Sequence, residues 1–250
     1  MHAAFQPGDL VRHYAGLFHW PVADRTILVE GEHDQRYFVL ADKLYAEKTQ
    51  LKLLCSQMAI FPTGIGDEGG SFGLQRHFHP LRAVMDRDMT QNGQKIFHAI
   101  ALFDDDIEGR RGFGALTAQH LNYRKWRDVF LLQRFIPRST RDPVQVDKLI
   151  GTANNKWRGM ECEIEDLVAI DMIKEFVSEN PNCIQRQLEE RNGAVHCRFH
   201  RHAKANFIRF VEKNAILEDL SLIVDTLKSL RYYLGLPPDG ETISNTLMRE

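Results

Sequence analysis

Two short stretches of this chain place carboxylates directly after apolar runs. Glu30–Asp34 (EGEHD) follows the apolar residues Thr26–Val29, and Asp104–Asp106 follows Ile96–Phe103. Apolar runs of this length are typical of buried parallel strands. The residues at the carboxyl ends of such strands line the crevice in which open α/β sheets bind ligands. We therefore expect both acidic stretches to face one site.

The charges of these side chains predict a bound cation. Glu30, Asp34, Asp104 and Asp106 would repel one another in a shared crevice, so some would have to protonate unless a cation compensated them. A set of ligands made only of oxygen atoms suits Mg²⁺ or Mn²⁺. Asp104 and Asp106 are two residues apart and point to the same side of an extended backbone, so this pair can share or bridge ions. We expect Asp34 to open the following helix.

The order and form of these motifs resemble the Toprim domain, the metal-binding catalytic module of topoisomerases, bacterial primases and several nucleases. Its pattern is a Glu-Gly pair after the first strand and a DxDxxG motif after a later one. The matching residues are Glu30 and Gly31, then Asp104, Asp106 and Gly109. With Asp34 added, the first motif is more similar to that of the OLD-family (overcoming lysogenization defect) nucleases. The resemblance implies a Rossmann-type parallel sheet flanked by helices.

Two later stretches extend this resemblance. Glu163–Val168 (EIEDLV) is similar to the acidic motif that the family carries beyond its DxD strand, and the segment around Lys204 is similar to its late lysine-containing helix. The resemblance implies one ion held by Glu30, Asp104 and Asp106, a second held by Asp34 with Glu163 or Glu165, and a catalytic charge supplied by Lys204. An ordinary acidic helix start and a solvated lysine remain open as alternatives for the two later stretches.

The resemblance implies a metal-dependent nuclease that hydrolyses phosphodiester bonds of DNA or RNA. It further implies an effector role in bacterial anti-phage defence. The chain has no GxxxxGK[ST] phosphate-binding loop of its own, so an ATPase would have to be a separate partner chain. One alternative is a Toprim topoisomerase or primase-like enzyme, although neither a nucleophilic tyrosine on another domain nor a zinc module is visible. Another alternative is a non-catalytic Toprim-like module that binds nucleic acid or a partner.

A GxGxxG string at Gly64, Gly66 and Gly69 raises the alternative of a dinucleotide-binding enzyme. Asp67 and Glu68 argue against it, because they place negative charge where a pyrophosphate needs bare backbone amides. The string therefore favours a glycine-rich loop at the rim of the acidic crevice.

Basic residues follow the acidic motifs, although the formal net charge of the 250 residues is only −2. They are Arg110, Arg111, Arg124, Lys125, Arg127, Arg134, Arg138 and Arg141, and later Arg186, Arg191, Arg198, Arg201, Lys204 and Arg209. Basic flanks around an acidic centre favour a nuclease, in which phosphate contacts position the nucleic acid. Scattered, solvated arginines are the alternative.

The cysteine pattern predicts a protein of the reducing cytoplasm. Four cysteines show no CxxC pairing, and the sequence shows neither a signal peptide nor a long apolar span. We therefore expect no membrane partner. The spacing of Cys183, Cys197, His200 and His202 is too irregular to favour a zinc site.

The predicted organisation has three parts. Residues 1–20 form a lead-in, residues 21–135 the Toprim core, and residues 136–250 a mainly helical extension that completes the active site. Within the extension, residues 137–156 are expected to form a polar loop on the rim of the site. An apolar stripe on the last predicted helix faces either the core or a second copy in a homo-oligomer; it comprises Ile216, Leu220, Ile223, Leu227 and Leu230.

Overall fold

The computed structural model describes residues 6–63, 69–118 and 122–242. The helices are α1 (Asp9–Gly16), α2 (Glu32–Thr49), α3 (Gly70–Met85), α4 (Ile107–Leu116), α5 (Pro143–Ala153), α6 (Ile170–Glu179), α7 (Arg201–Asn214) and α8 (Ser221–Tyr233). The strands are β1 (Arg25–Val29), β2 (Leu51–Lys52), β3 (Met58–Pro62), β4 (His98–Phe103), β5 (Val129–Leu131), β6 (Glu189–Arg191), β7 (Ala194–His196) and β8 (Glu241–Thr242). Short 3-10 turns lie between several of them.

The chain divides into two compact units. Unit 1 comprises Met1–Gln35 and Leu54–Leu131, and unit 2 comprises Arg36–Leu53 and Leu132–Glu250. This division groups residues 36–53 with the later part of the chain, whereas the predicted core kept them with residues 21–135. The predicted boundaries at residues 20 and 135 stay a prediction.

Unit 1 is built on a four-stranded parallel sheet with the strand order β3-β1-β4-β5. The register places Leu28 of β1 beside Phe61 of β3 on one side and beside Ala101 of β4 on the other. Because β1 and β4 run in the same direction, their carboxyl ends lie side by side at one edge of the sheet. The predicted α/β architecture with parallel strands is confirmed.

The core of unit 1 lies between this sheet and the helices that flank it. Leu28, Ala101 and Phe103 from the strands are buried in one cluster with Leu74 and Phe78 of α3. Helix α4 also packs on the sheet. These side chains recur at the spacing of a buried strand or of one helix face, which is why the sequence predicted their elements.

The residues before β1, for which the sequence predicted no definite structure, contain helix α1. Val11 of α1 is fully buried in the core of unit 1, and the helix packs against α3. The buried carboxylate of Asp88 accepts hydrogen bonds from the backbone N–H groups of Gly8 (2.7 Å) and Val11 (2.9 Å). Asp88 thereby satisfies two amides of the first helical turn that have no partner within the helix.

A buried ion pair fixes α3 in unit 1. Arg82 of α3 lies 3.4 Å from Asp128, which immediately precedes β5. Burial raises the pKa of Asp128, but hydrogen bonds from His98, Arg127 and the Arg124 N–H, with the Arg82 charge, outweigh it and leave the pKa below its usual range. The carboxylate is therefore ionised at neutral pH and compensated from several sides.

Unit 2 contains helices α5–α8 and a two-stranded antiparallel hairpin of β6 and β7. Four members of the predicted apolar stripe are fully buried: Leu220, Ile223, Leu227 and Leu230. Ile216, the fifth, is 59% exposed. The stripe thus faces the core of unit 2, which was one of the two orientations that the sequence left open.

The hairpin interrupts a part of the chain for which the sequence predicted mainly helix. Its turn is Asn192-Gly193, and both residues have positive φ, of 47° and 71°. Two successive positive φ angles are typical of the tightest hairpin turns, and Asn-Gly is their strongest sequence signal. The charged residues Glu189–Arg191 hid this signal, because they lack the apolar alternation of an ordinary strand.

The predicted rim loop at residues 137–156 is wrong, because Pro143–Ala153 forms helix α5. The Asp142 side chain accepts a hydrogen bond from the N–H of Gln145 and caps the helix, and Pro143 occupies the first turn. Proline at that position lacks only an N–H that would have no partner within the helix. The polar, proline-containing composition of residues 137–156 suggested a loop, but a proline in the first turn is compatible with a helix start.

Among the described residues, none of the helices combines the length and the apolar character that a membrane crossing requires.

Candidate functional site

Glu30 directly follows β1 and accepts hydrogen bonds from residues at the ends of two other elements of unit 1, β4 and α3. Its Oε1 atom accepts a hydrogen bond of 3.1 Å from the backbone N–H of Asp104, which follows β4. Its Oε2 atom accepts one of 2.9 Å from the Ser71 hydroxyl in the first turn of α3. The Glu30 carbonyl also accepts from the N–H of Gly70. The two predicted acidic stretches therefore meet at Glu30.

Asp34 and Asp106 each use a carboxylate oxygen to order their own turn. Asp34 lies in the first turn of α2, as predicted, and its Oδ2 atom accepts a hydrogen bond of 2.9 Å from the N–H of Gly31. Asp106 caps α4 by accepting one of 2.6 Å from the N–H of Gly109. Negative charge at the start of a helix is favourable, because the helix dipole is positive there.

Glycine is required at position 109 by a close backbone approach. A Cβ atom at this position would lie 1.9 Å from the carbonyl oxygen of Asp104 and 3.2 Å from Oδ1 of Asp106. No side chain fits at such a distance without movement of the backbone. The glycine of the DxDxxG motif therefore permits the tight turn that carries both aspartates.

The pKa of Glu30 is raised to about 8. Burial is the largest cause, and repulsion from Asp34 and Asp106 adds to it. The hydrogen bonds from Ser71 and from the Asp104 N–H lower the pKa of Glu30, but burial and repulsion together outweigh them. The three carboxyl groups are thus close enough to oppose one another's ionisation, and a bound cation would reverse that effect.

In unit 2, the structure brings together the three residues that the sequence predicted there. The Lys204 ammonium lies 2.7 Å from Oε2 of Glu163 and 3.4 Å from Oε2 of Glu165. Both carboxylates are buried, with 5% and 1% of their residue surface exposed. Lys204 is consequently an ion-pair partner in this structure, and the alternative of a purely solvated lysine is wrong.

The acidic segment around Glu163 is held by Asp166, which the sequence did not single out as a site residue. Asp166 accepts hydrogen bonds from the N–H groups of Glu163 (2.9 Å) and Cys197 (3.0 Å). Nδ1 of the buried His196 lies 2.7 Å from the same carboxylate. The segment Ile164–Leu167 is a single 3-10 turn, so it is not the start of a longer helix.

His196 lies between two carboxylates in this network. Its Nε2 atom is 3.4 Å from Oε2 of Glu161, which also pairs with Arg186 at 3.2 Å. Burial lowers the pKa of His196, but the hydrogen bond and charge of Asp166, together with Glu163 and Glu161, leave it above its usual value. The surrounding carboxylates thus favour the protonated form of His196 in a segment in which four acidic residues are buried.

Many residues of the predicted basic flanks have structural partners, and Arg134 and Arg141 are two examples. Arg134 is buried and donates hydrogen bonds to the backbone carbonyls of Glu161 and Val195. The guanidinium of Arg141 lies over the ring of Tyr232, 4.6 Å from its centroid. Arg134 is therefore not available as a phosphate contact, contrary to the prediction.

Most of the glycine-rich string, Gly64–Glu68, lies outside the described residues. Gly69 is described and precedes the first turn of α3.

The carboxylate oxygens of Glu30, Asp34 and Asp106 are of the chemical type that a hard divalent cation prefers, and repulsion from Asp34 and Asp106 raises the pKa of Glu30. Across residues 6–63, 69–118 and 122–242, no group of three or more His, Cys, Asp or Glu side chains is arranged to hold a metal ion.

Comparisons with protein-family models, curated proteins and solved structures found no match for this chain.

Proposed function

We propose that this protein is a Toprim-type, divalent-metal-dependent nuclease that resembles the OLD family. The observation that carries the proposal is the contact of Glu30 with the backbone of Asp104, in a setting where Asp34 and Asp106 help to raise the pKa of Glu30. A parallel sheet that ends in mutually repelling carboxylates at adjacent strands supports a cation site at that edge.

Glu30, Asp34, Asp104 and Asp106 would hold Mg²⁺ or Mn²⁺ in this proposal. Such an ion, when bound, activates a water molecule and stabilises the charge of the leaving oxygen. Ser71 and the Asp104 N–H orient the Glu30 carboxylate, and the Gly109 N–H orients that of Asp106. These donors therefore hold the carboxylate oxygens in place before any ligand arrives, which lowers the entropic cost of binding.

Cleavage assays on the Asp104→Ala variant test this proposal. Wild-type protein should cut DNA or RNA with Mg²⁺ or Mn²⁺ and should not cut in EDTA, and the variant should lose cutting by at least about a hundredfold. The contact with Glu30 uses the backbone N–H, so circular dichroism and the melting temperature should change little. Asp105→Asn is the matched control, because the Asp105 carboxylate pairs with Arg110. Unchanged, metal-dependent cutting by Asp104→Ala would contradict the proposal.

Substrate panels distinguish this nuclease from the other Toprim activities. Plasmid DNA, single-stranded DNA and single-stranded RNA are offered in parallel, and at least one of them should be cut or nicked without ATP-dependent strand passage and without primer synthesis. Binding of nucleic acid with no cutting under any metal would instead favour a non-catalytic module.

The roles of Glu163, Glu165 and Lys204 in metal binding and catalysis stay predictions. The partner ATPase chain, the anti-phage setting, the homo-oligomer and the cytoplasmic location are also predictions, implied by the sequence alone. Copurification of an ATPase with the tagged protein from its native cells would support the partner ATPase. Full activity of the isolated chain would count against that partner.

A further inference from the structure

The solvent-facing side of α3 carries an aromatic residue and a cation one helical turn apart. Phe72 is 74% exposed, which is the highest value among the large apolar side chains of the described residues. Arg76 and His79 are exposed on the same face, at the spacing of successive helical turns. We call Phe72, Arg76 and His79 the α3 stripe.

The stripe begins at the acidic site. Phe72 directly follows Ser71, whose hydroxyl donates to Glu30, so adjacent Cα atoms about 3.8 Å apart connect the two. A second exposed apolar side chain, Ile107, directly follows Asp106 and is 49% exposed. Single exposed apolar residues are common on proteins. Here, however, two of them adjoin residues of one candidate site.

The charge of α3 favours a polyanion. The helix contains no Asp or Glu, and its other arginine, Arg82, is buried and paired with Asp128. Among the described residues, no hydrogen bond or ion pair involves Arg76. His79 is held by Tyr123, because its Nδ1 atom lies 2.8 Å from the tyrosine hydroxyl. Within the part of the chain that the structure describes, Arg76 is therefore the cation of the stripe that has no acidic partner to leave when it engages a phosphate.

We propose that the α3 stripe binds a single-stranded stretch of nucleic acid and leads it to the acidic site. A base stacks on the ring of Phe72, and Arg76 contacts the backbone phosphate. A phenyl ring offers no hydrogen bond, so it selects for an exposed base face, which a single strand presents and a paired duplex largely hides in its own stack. This inference rests on the proposed nuclease function and adds the strandedness of its substrate.

Binding without cutting tests the inference directly. Fluorescence anisotropy in EDTA should show that wild-type protein binds labelled single strands of about 12 nucleotides more tightly than the matching duplex. Phe72→Ala should weaken single-strand binding about tenfold, and Phe72→Leu should weaken it similarly, since leucine keeps apolar bulk but not the aromatic face. Phe72→Trp should retain binding. Arg76→Gln should weaken binding and reduce its salt dependence by about one phosphate contact.

Phe135→Ala is the matched control, because Phe135 is also exposed but belongs to unit 2 and not to α3. Equal binding by wild type, Phe72→Ala and Arg76→Gln would overturn the inference, as would equal affinity for duplex and single strand. Sedimentation that shows loss of a dimer in Phe72→Ala, with nucleic-acid binding unchanged, would assign the stripe to self-association instead. If the protein binds nucleic acid through Phe72 but never cuts it, the nuclease proposal is wrong and the inference about the α3 stripe still holds.

Discussion

The partly buried carboxylate of Glu30 in unit 1 and the buried carboxylates of unit 2 are compensated differently. Glu30 of unit 1 accepts hydrogen bonds from two donors without net charge, Ser71 and the Asp104 N–H, and its pKa is raised. Glu163 and Glu165 of unit 2 already share the positive charge of Lys204. We therefore expect the residues around Glu30 to bind an added cation more readily than the Glu163–Glu165 pair, where the cation would have to compete with a lysine.

Replacement of Lys204 should destabilise unit 2. Lys204→Met leaves two buried carboxylates without this counter-charge, so the free energy of unfolding should fall by about 3 kcal/mol, as measured by urea denaturation. Lys204→Arg should retain most of the stability. Lys213→Met changes an exposed lysine on the same helix and should have little effect. A folded Lys204→Met protein of wild-type stability would show that the ion pairs contribute little.

The turn between β4 and α4 is an element in which one glycine decides the backbone path. Gly109→Ala would push a Cβ atom into the Asp104 carbonyl, so stability should fall by roughly 1–3 kcal/mol and metal-dependent cutting should be lost. Gly114→Ala lies on the same helix with open space around its Cβ position and should instead stabilise the protein by up to about 1 kcal/mol. Thermal denaturation and cleavage assays on both variants measure the contrast. Equal behaviour of the two would contradict the close approach at Gly109.

Elements whose residues carry a local pattern were predictable from the sequence. Strands β1 and β4 are continuous apolar runs that stop at acids, and each was predicted to end where its acidic stretch begins. Helix α5 and the β6–β7 hairpin were missed. Their signals, Asp142-Pro143 and Asn192-Gly193, are start and turn signals of two residues, and no apolar periodicity accompanied them strongly enough to decide the element type.

The stability of the whole molecule should depend on pH through Glu30. Its folded pKa of about 8 lies above the ordinary value, so the folded state favours the protonated form. The stabilisation from this protonated form is complete below about pH 4.5 and is lost as the pH rises through 8. It amounts to on the order of 1.4 kcal/mol for each unit by which the folded pKa of Glu30 exceeds the unfolded pKa. In EDTA, Glu30→Gln should therefore gain stability over wild type as the pH rises from 5 to 9, while the exposed Glu32→Gln should not.

Melting temperatures measured with added divalent cations test the role of Glu30 in a second way, on the same two proteins. At pH 8, Mg²⁺ or Mn²⁺ should raise the melting temperature of the wild type, because a ligand that binds only the folded state stabilises it. The increase should be much smaller for Glu30→Gln. An equal increase in both proteins would place the stabilising ion elsewhere.

Contacts between distant parts of the chain limit what the sequence can predict about the site. The Glu30, Asp104 and Asp106 motifs are local strings, and their meeting follows from the parallel order of β1 and β4. Asp166 and His196 lie thirty residues apart and have no shared pattern, so only the folded structure reveals that they touch at 2.7 Å. The partly buried environment of Glu30 likewise arises from packing, which residue spacing does not encode.

The link between β1 and β4 has a consequence for how this chain can change over evolution. Glu30 accepts its hydrogen bond at position 104 from the peptide N–H. Any residue except proline supplies that N–H. A single mutation can therefore remove the Asp104 carboxylate while the link between β1 and β4 persists. Under the nuclease function proposed above, this provides a path to paralogues that bind nucleic acid without cutting it.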